Sequence, residues 1–525
     1  MSKRIRATRE DPQAMEAQVI AEEKPFAAAE EKFSGLVSLL SAVESRQMTH
    51  SELESLIAKE GREIHRRLLQ GHLDLRASSE QVQGALRGAD GVERTHHRRR
   101  ARGLLTVFGL VTALRMSYGA RRHASLSPLD ASLNLPEELH SHGLRRLAAI
   151  EAARGSFDAT VEAIERNTGT RVPKRQVEEL VERAAQDFDA FYDRPESAEE
   201  AADPKDLLIL TLDGKGIVMR HEDLRKATRK AAESAQHKLD RRLSRGEKKD
   251  RKRMATVAAV YDLTPQARRP EDVLAELRPV RDVSKPRPRA HNKRVWARVE
   301  KSAEEVTGEV FEEARHRDPE CRRRWVVLLD GDRHQIARVR AEARRRGLSR
   351  DITLVVDFIH VLEYLWNAAW CFFQEGDKEA ERWVTERAFA VLQGRSSDVA
   401  AGIRRSATKR ELPADQRKGV DACADYLIAK RSMLRYDQYL RQGLPIATGV
   451  IEGACRHLIV DRLDITGARW SVRGAEAILR LRSLRSSGDF DDYWRFHLDT
   501  EHQRHHASRY AEKPTLRVIA GGASS

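Results

Sequence analysis

The chain has 525 residues, 40% of them hydrophobic and 34% charged, with Lys and Arg outnumbering Asp and Glu by 95 to 81. Length and apolar content allow several globular domains, while the net charge of +14 favours a polyanionic partner. No apolar run approaches the ~20 residues of a membrane span, and Met1 to Arg9 lacks the apolar core of a signal peptide, so no membrane role and a cytoplasmic location are expected. Cys321, Cys371, Cys423 and Cys455 are widely spaced with no CxxC pair, which disfavours a disulfide framework and a cysteine zinc site.

Residues 1–95 read as a mainly helical region. Phe33, Leu36, Val37, Leu39 and Leu40 carry its 3.6-residue period. Residues 96–140 form a basic, β-like connector: the patch Thr95 to Arg102, an apolar stretch from Leu104 to Met116, then a Pro- and Asn-bearing link. Residues 141–195 show three helical patterns, 144–153, 157–166 and 174–191, with the turn Asn167-Thr-Gly169 before the third. That punctuation predicts a helix-turn-helix, with Lys174, Arg175 and Gln176 at the start of the recognition helix, where base contacts are made. An ordinary three-helix bundle has the same punctuation.

An acidic linker leads to residues 205–360, where strands dominate. Strands are predicted at 207–212, 254–263, 291–298, 325–329 and 352–356, with helices at 303–317 and 335–346. The order β-β-β-α-β-α-β is that of an RNase H-like α/β core. Residues 361–445 read as a helical insertion and 446–500 as the returning helical part of the core, with 501–525 a C-terminal tail. His96, His97, His502, His505 and His506 lack companion ligands at useful spacing and read as solvated surface.

Three acids stand out by context. Asp213 and Asp330 each end an apolar strand, and Glu452 lies in Ala447-Thr-Gly-Val-Ile-Glu-Gly453 at the start of a helix. In an RNase H fold the first and fourth strands are adjacent, which brings the two aspartates side by side. A carboxylate triad suits phosphoryl transfer, because hard oxygen ligands hold two Mg²⁺ (or Mn²⁺) ions ~4 Å apart around the attacking and leaving oxygens. Asp357 and His360 form a D-x-x-H just after a strand. A hydrogen bond between the two that fixes the strand-to-helix turn, with both close to the site, is the favoured reading, over direct metal ligation. Residues 220–253 hold 14 Lys/Arg against 6 Asp/Glu. Within them Lys248, Lys249, Arg251, Lys252 and Arg253 are candidate phosphate contacts, the rival being a solvated face. Arg469 is a further candidate phosphate contact. Trp470 can stack on an unpaired base, although tryptophans are more often core.

These strings together resemble bacterial insertion-sequence transposases of the DDE type, the ISKra family. The match is carried by Asp213-Gly-Lys-Gly-Ile-Val-Met-Arg220, Arg253-Met-Ala-Thr-Val257, Asp357-Phe-Ile-His-Val-Leu-Glu-Tyr364, Ala447-Thr-Gly-Val-Ile-Glu-Gly-Ala-Cys-Arg-His457, Thr466-Gly-Ala-Arg-Trp470 and Ser486-Ser-Gly-Asp-Phe-Asp-Asp-Tyr-Trp494. The resemblance implies a DNA transposase that cleaves and joins strands. Its RNase H-like core would be interrupted by a helical insertion, and its triad would be Asp213, Asp330 and Glu452. Asp357 and His360 match a C/D-x-x-H signature of related enzymes. The implied partners are transposon ends and target DNA, with a homodimer or higher homo-oligomer in the bacterial cytoplasm, associated with the nucleoid. Some relatives carry a Cys-rich ribbon before the helix-turn-helix. Residues 115–125 hold no Cys, which sets this chain apart. The alternative is a domesticated transposase that binds specific DNA without catalysis, whose expected mark, loss of a triad acid, is not seen.

Overall fold

A long apolar strand buried on both faces needs neighbours on both edges, and that requirement organises the larger part of the chain. The computed structural model describes residues 24–194, 203–234, 251–276, 289–348, 352–447, 449–465 and 467–511, in two units. One unit comprises residues 1–151, 157–180 and 494–525, the other 152–156 and 181–493. Among the described residues no helix is long and apolar enough to cross a membrane.

The first unit opens with α1 (Ala27–Ser41) and α2 (His50–Ser78). A capping box starts α2: the Glu52 carboxylate accepts the Thr49 N–H at 2.7 Å while the Glu52 N–H is donated to the Thr49 hydroxyl. Strands β1 (His96–Thr106) and β2 (Gly109–Gly119) pair antiparallel along their whole length. Leu104, Val111 and Ala113 of this hairpin pack with Leu73 of α2 and with Leu135. The sequence suggests a strand only from Leu104. The hairpin starts at His96, because its basic half, Arg98 to Arg100, is exposed and shows no apolar alternation to read. Three helices follow, α3 (His142–Arg154), α4 (Phe157–Thr168) and α5 (Lys174–Ala184). Gly169 has φ +70°, and its N–H closes the end of α4 on the Glu165 carbonyl at 2.8 Å. The third helix is shorter than expected, ending at Ala184 before a separate short helix, Phe188–Tyr192. The C-terminal histidines are not simply solvated surface: His506 is buried with Nε2 2.8 Å from the Leu135 carbonyl, while His502 and His505 are half-buried, His502 Nε2 lying 3.1 Å from the Ala131 carbonyl.

The second unit is α/β, built on five strands: β3 (Leu207–Val218), β4 (Lys252–Leu263), β5 (His291–Arg298), β6 (Trp325–Leu329) and β7 (Ile352–Val356). Their order in the sheet is β5-β4-β3-β6-β7. The first three pair antiparallel, and β6 and β7 join in parallel. β6 and the first half of β3 are buried throughout, as their unbroken apolar runs require. Helix α6 (Ala303–Arg317) links β5 to β6 and α7 (Arg333–Arg345) links β6 to β7. One boundary differs from expectation. β3 does not stop at Asp213 but continues to Val218, paired with β4 as far as Lys252.

Beyond β7 the described residues are helical: α8 (Phe358–Ala369), α9 (Lys378–Leu392), α10 (Ser396–Lys409), α11 (Lys418–Lys430), α12 (Tyr436–Arg441), α13 (Gly449–Ala454) and α14 (Val472–Ser487). Glu476 of α14 accepts the N–H groups of Val299 and Glu300 at 2.9 and 3.2 Å and sits 3.3 Å from Arg298, tying α14 to the β5 edge. Three tyrosines fasten the insertion to the sheet. Tyr436 donates to the Val356 carbonyl at 2.7 Å, Tyr439 to Leu354 at 3.4 Å and Tyr426 to Asp330 at 2.8 Å. Aromatics at the start of the insertion join its helices to each other: Tyr364 stacks on Tyr426 at 4.0 Å, and Phe372 and Phe373 meet Trp383. Two arginines of the insertion are engaged within it, Arg404 paired to Asp425 and Arg410 over Phe372.

Tyr436 is fully buried, so Tyr436→Phe leaves a carbonyl without its donor and is expected to cost about 1–3 kcal/mol of stability. Tyr439→Phe, which removes a longer bond, is expected to cost less in the same urea titration. Equal or reversed losses would contradict this account of how the insertion is held.

Candidate active site

Register brings the two aspartates together. In the parallel pair of β3 and β6, Thr211 lies opposite Leu328, and Asp213 and Asp330 each follow two residues later. On the next strand Val356 lies opposite Leu329, and the N–H of Asp357 is donated to the Leu329 carbonyl at 2.7 Å. Asp213, Asp330 and Asp357 therefore occupy successive positions across the same end of three adjacent strands.

The turn after Asp330 is held rigidly. Gly331 has φ +92°, and a Cβ there would run into the Tyr426 ring. The Asp330 carboxylate accepts the Asp332 N–H at 2.7 Å, and Asp332 caps α7 by accepting the Gln335 N–H at 2.8 Å. Gln335 in turn donates to the Leu212 carbonyl at 2.8 Å, linking this turn to the strand of Asp213.

Asp213 accepts its neighbour's N–H, from Gly214, at 2.6 Å on one oxygen and the Cys455 thiol at 3.1 Å on the other. Cys455 begins a π-helical turn, Cys455–Val460, directly after α13, the helix that carries Glu452. Such turns are rare inside helices and often occur at functional sites. α13 packs against β3 and β4, so Glu452 belongs to the same part of the unit as the aspartates. It also lines a cavity with Phe358, Ile359 and Val450. Among the described residues the ligand atoms of Asp213, Asp330 and Glu452 do not all fall within 4.8 Å of one another. The arrangement is a pair of aspartates with a glutamate to one side. Its donors are all hard oxygens, the kind Mg²⁺ and Mn²⁺ take.

Among the described residues no cation forms an ion pair with Asp213 or Asp330. Burial raises the Asp330 pKa above the ordinary carboxylate value, and the negative charges of Asp213 and Asp332 raise it further. The Asp332 N–H and His360 oppose the shift. Burial also pushes the Cys455 thiol up, followed by the charge and hydrogen bond of Asp213, so it stays protonated and donates. Asp357 is buried and caps α8, accepting the Ile359 N–H at 2.7 Å. Its turn-fixing role is thus made to the backbone. His360 Nδ1 lies 3.1 Å from Glu363.

Sequence reasoning missed Cys455 and Tyr426. Neither type signals a site alone, although Cys455 stands three residues after Glu452, one helical turn away.

The expected DNA contacts divide. Lys174, Arg175 and Gln176 are exposed at the start of α5, Lys174 pairing with Asp158 at 2.8 Å and Arg175 with Glu179 at 3.3 Å. Lys248 and Lys249 lie outside the described residues. Arg251 immediately precedes β4. Lys252 pairs with Asp464 at 3.3 Å, and Arg253 donates to the Val299 and Glu300 carbonyls at 2.9 and 3.3 Å, which commits it to the fold. Arg469 is exposed. Trp470 is a correction: it is 6% exposed, and its indole N–H is donated to the Leu463 carbonyl at 3.0 Å. Its backbone bonds Val218 and Arg220, and Arg462 covers its ring. No face is left for a base. No family model matches the sequence, and no curated protein is similar to it.

The raised Asp330 pKa has a sign that can be tested. A carboxyl favoured in its neutral form by the fold contributes stability below its unfolded pKa, and that contribution is lost as pH rises through the folded value. Without divalent metal, Asp330→Asn is therefore expected to raise Tm at neutral pH and to lose that advantage in acid. A variant destabilised at neutral pH and rescued in acid would reverse the reading.

Proposed function

We propose that this chain is a DNA transposase whose metal-dependent phosphoryl transfer uses Asp213, Asp330 and Glu452. The observation that carries the reading is the register of β3 and β6, which sets Asp213 and Asp330 on neighbouring strand positions with the helix of Glu452 packed against β3 and β4. The strand order agrees with an RNase H-like core, whose first strand lies between the second and fourth and whose last three pairings run antiparallel, parallel and parallel around it. A helical insertion separates the strand ending before Asp357 from Glu452. The resemblance of six sequence strings to insertion-sequence transposases agrees with the same assignment.

Two Mg²⁺ (or Mn²⁺) ions bound at the carboxylates would activate the attacking oxygen and stabilise the leaving one. The protein's part is positional. Cys455 and Gly214 orient the Asp213 carboxylate, the Asp332 N–H and the Tyr426 bond fix Asp330, and Asp357 caps α8 beside them. Exposed Lys174, Arg175 and Gln176 at the start of α5 suit the recognition helix of a helix-turn-helix, with transposon ends as its DNA. Action on two ends would call for a homo-oligomer.

Asp213→Asn, Asp330→Asn and Glu452→Gln are each expected to reduce strand cleavage by at least about a hundredfold while end binding stays within a few-fold, since a lost ligand removes transition-state charge stabilisation. Cleavage at wild-type rate by any one of them removes that residue from the site. Cleavage absent in the wild type, with specific binding intact, would instead favour a DNA-binding protein without catalysis.

Alanine at Lys174, Arg175 or Gln176 is expected to lower the preference for transposon ends over random duplex by about tenfold, the ~1–3 kcal/mol of a base contact. An equal loss on every sequence would mean that α5 touches only backbone.

A further inference from the structure

The end of the sheet opposite the aspartates carries a second, strongly basic feature. A cavity of about 550 Å³ opens beside β6, β7, α7 and α12, lined by Arg324, Arg340, Arg344 and Arg435 together with Thr353 and Gln438. Among the described residues no carboxylate lines it. Arg340 and Arg344 are four residues apart on α7 and share a face, Arg324 stands at the start of β6, and Arg435 precedes α12. Among the described residues none of the four guanidinium groups forms an ion pair. Arg324 reaches only the Thr353 hydroxyl at 3.3 Å and Arg340 only the Met433 sulfur at 3.9 Å. Other arginines nearby are neutralised: Arg345 and Arg346, also in this region of α7, both bind Glu342. Burial lowers the Arg324 pKa, with Tyr439 opposing the shift.

Four converging, unneutralised guanidinium groups repel one another unless an anion joins them. Their planar forks match phosphate oxygens, and the open polar cavity suits a backbone passing through better than an enclosed small molecule. We infer that this arginine cavity is a second DNA-binding site, which grips the phosphodiester backbone of the same duplex at a distance from the carboxylates. The choice of DNA as the polyanion rests on the proposed function.

Geometry gives the inference a length. Arg324 and Asp330 bracket β6, six residues apart at ~3.3 Å each, so the two sites are about 20 Å apart along the strand. Duplex DNA covers that span in about six base pairs at ~3.4 Å per pair. Duplex extending less than this beyond the cleaved position cannot fill the cavity.

The test is anisotropy of labelled duplexes of graded length, in EDTA so that no cleavage is needed, with salt varied from about 50 to 200 mM. The variant Arg340→Gln/Arg344→Gln/Arg435→Gln is compared with Arg345→Gln, whose guanidinium is already held by Glu342. Each phosphate contact adds ~0.9 to the salt slope, so the triple variant is expected to flatten it by about 2–3 and to weaken long duplexes on the order of a hundredfold at low salt. Short duplexes and Arg345→Gln should behave as wild type, and Tm should not fall. An unchanged slope in the triple variant overturns the inference. So does a loss independent of duplex length, or displacement of DNA by millimolar inorganic phosphate, which would mark a small-anion site. Because binding is read without metal, an inactive triad would leave this result unaffected.

Discussion

Two carboxylates on adjacent strand positions repel, and much else in the larger unit follows from holding them there. Parallel strands lie ~4.8 Å apart, and at an effective dielectric of ~20 two unit charges at that spacing cost about 3 kcal/mol. Burial of Asp330 sharpens the conflict and shows in its raised pKa. The surroundings restrain the carboxylates: the Asp332 N–H is on Asp330, the Cys455 thiol and Gly214 N–H are on Asp213, and among the described residues no lysine or arginine bonds either. Bunched carboxylates held this way are the arrangement a cation would relieve, which is why the proposed activity is a metal-dependent one.

The scaffold around this conflict is built to resist it. β3 runs past Asp213 and is stitched at its far end by Trp470, so the acid sits inside a strand with little freedom to swing away. Gly331 allows the turn that Asp330 begins, and Tyr426 closes over it from α11. The helical insertion thereby does more than lengthen the chain. Through Tyr426, Tyr436 and Tyr439 it grips the β6 and β7 side of the sheet.

Much of this was legible in the amino-acid sequence, for identifiable reasons. Strands buried on both faces write unbroken apolar runs, so β6 and the start of β3 could be read to the residue; the partly buried edge strand β7 was read to the residue as well, and α6 from its helical pattern. The unread parts share a cause, since their determinants lie far away in the chain. β1 is basic because its outer half faces solvent, so it lacks alternation. β3 continues through Asp213-Gly-Lys-Gly because β4 supplies hydrogen bonds there, although the string reads as a turn. Trp470 and His506 found backbone carbonyls that no local pattern could reveal. The aspartate pair was legible because each acid closes an apolar run, whereas Cys455 and the four cavity arginines acquire meaning only once the sheet has formed.

The account stands on Asp213, Asp330 and Glu452 serving one metal-binding site, and anomalous diffraction from crystals soaked in Mn²⁺ tests it most directly. Mn²⁺ density held by the carboxylates of Asp213, Asp330 and Glu452 is the expected result. Mn²⁺ density absent from these carboxylates, or gathered elsewhere with Asp213 and Asp330 left bare, would contradict it.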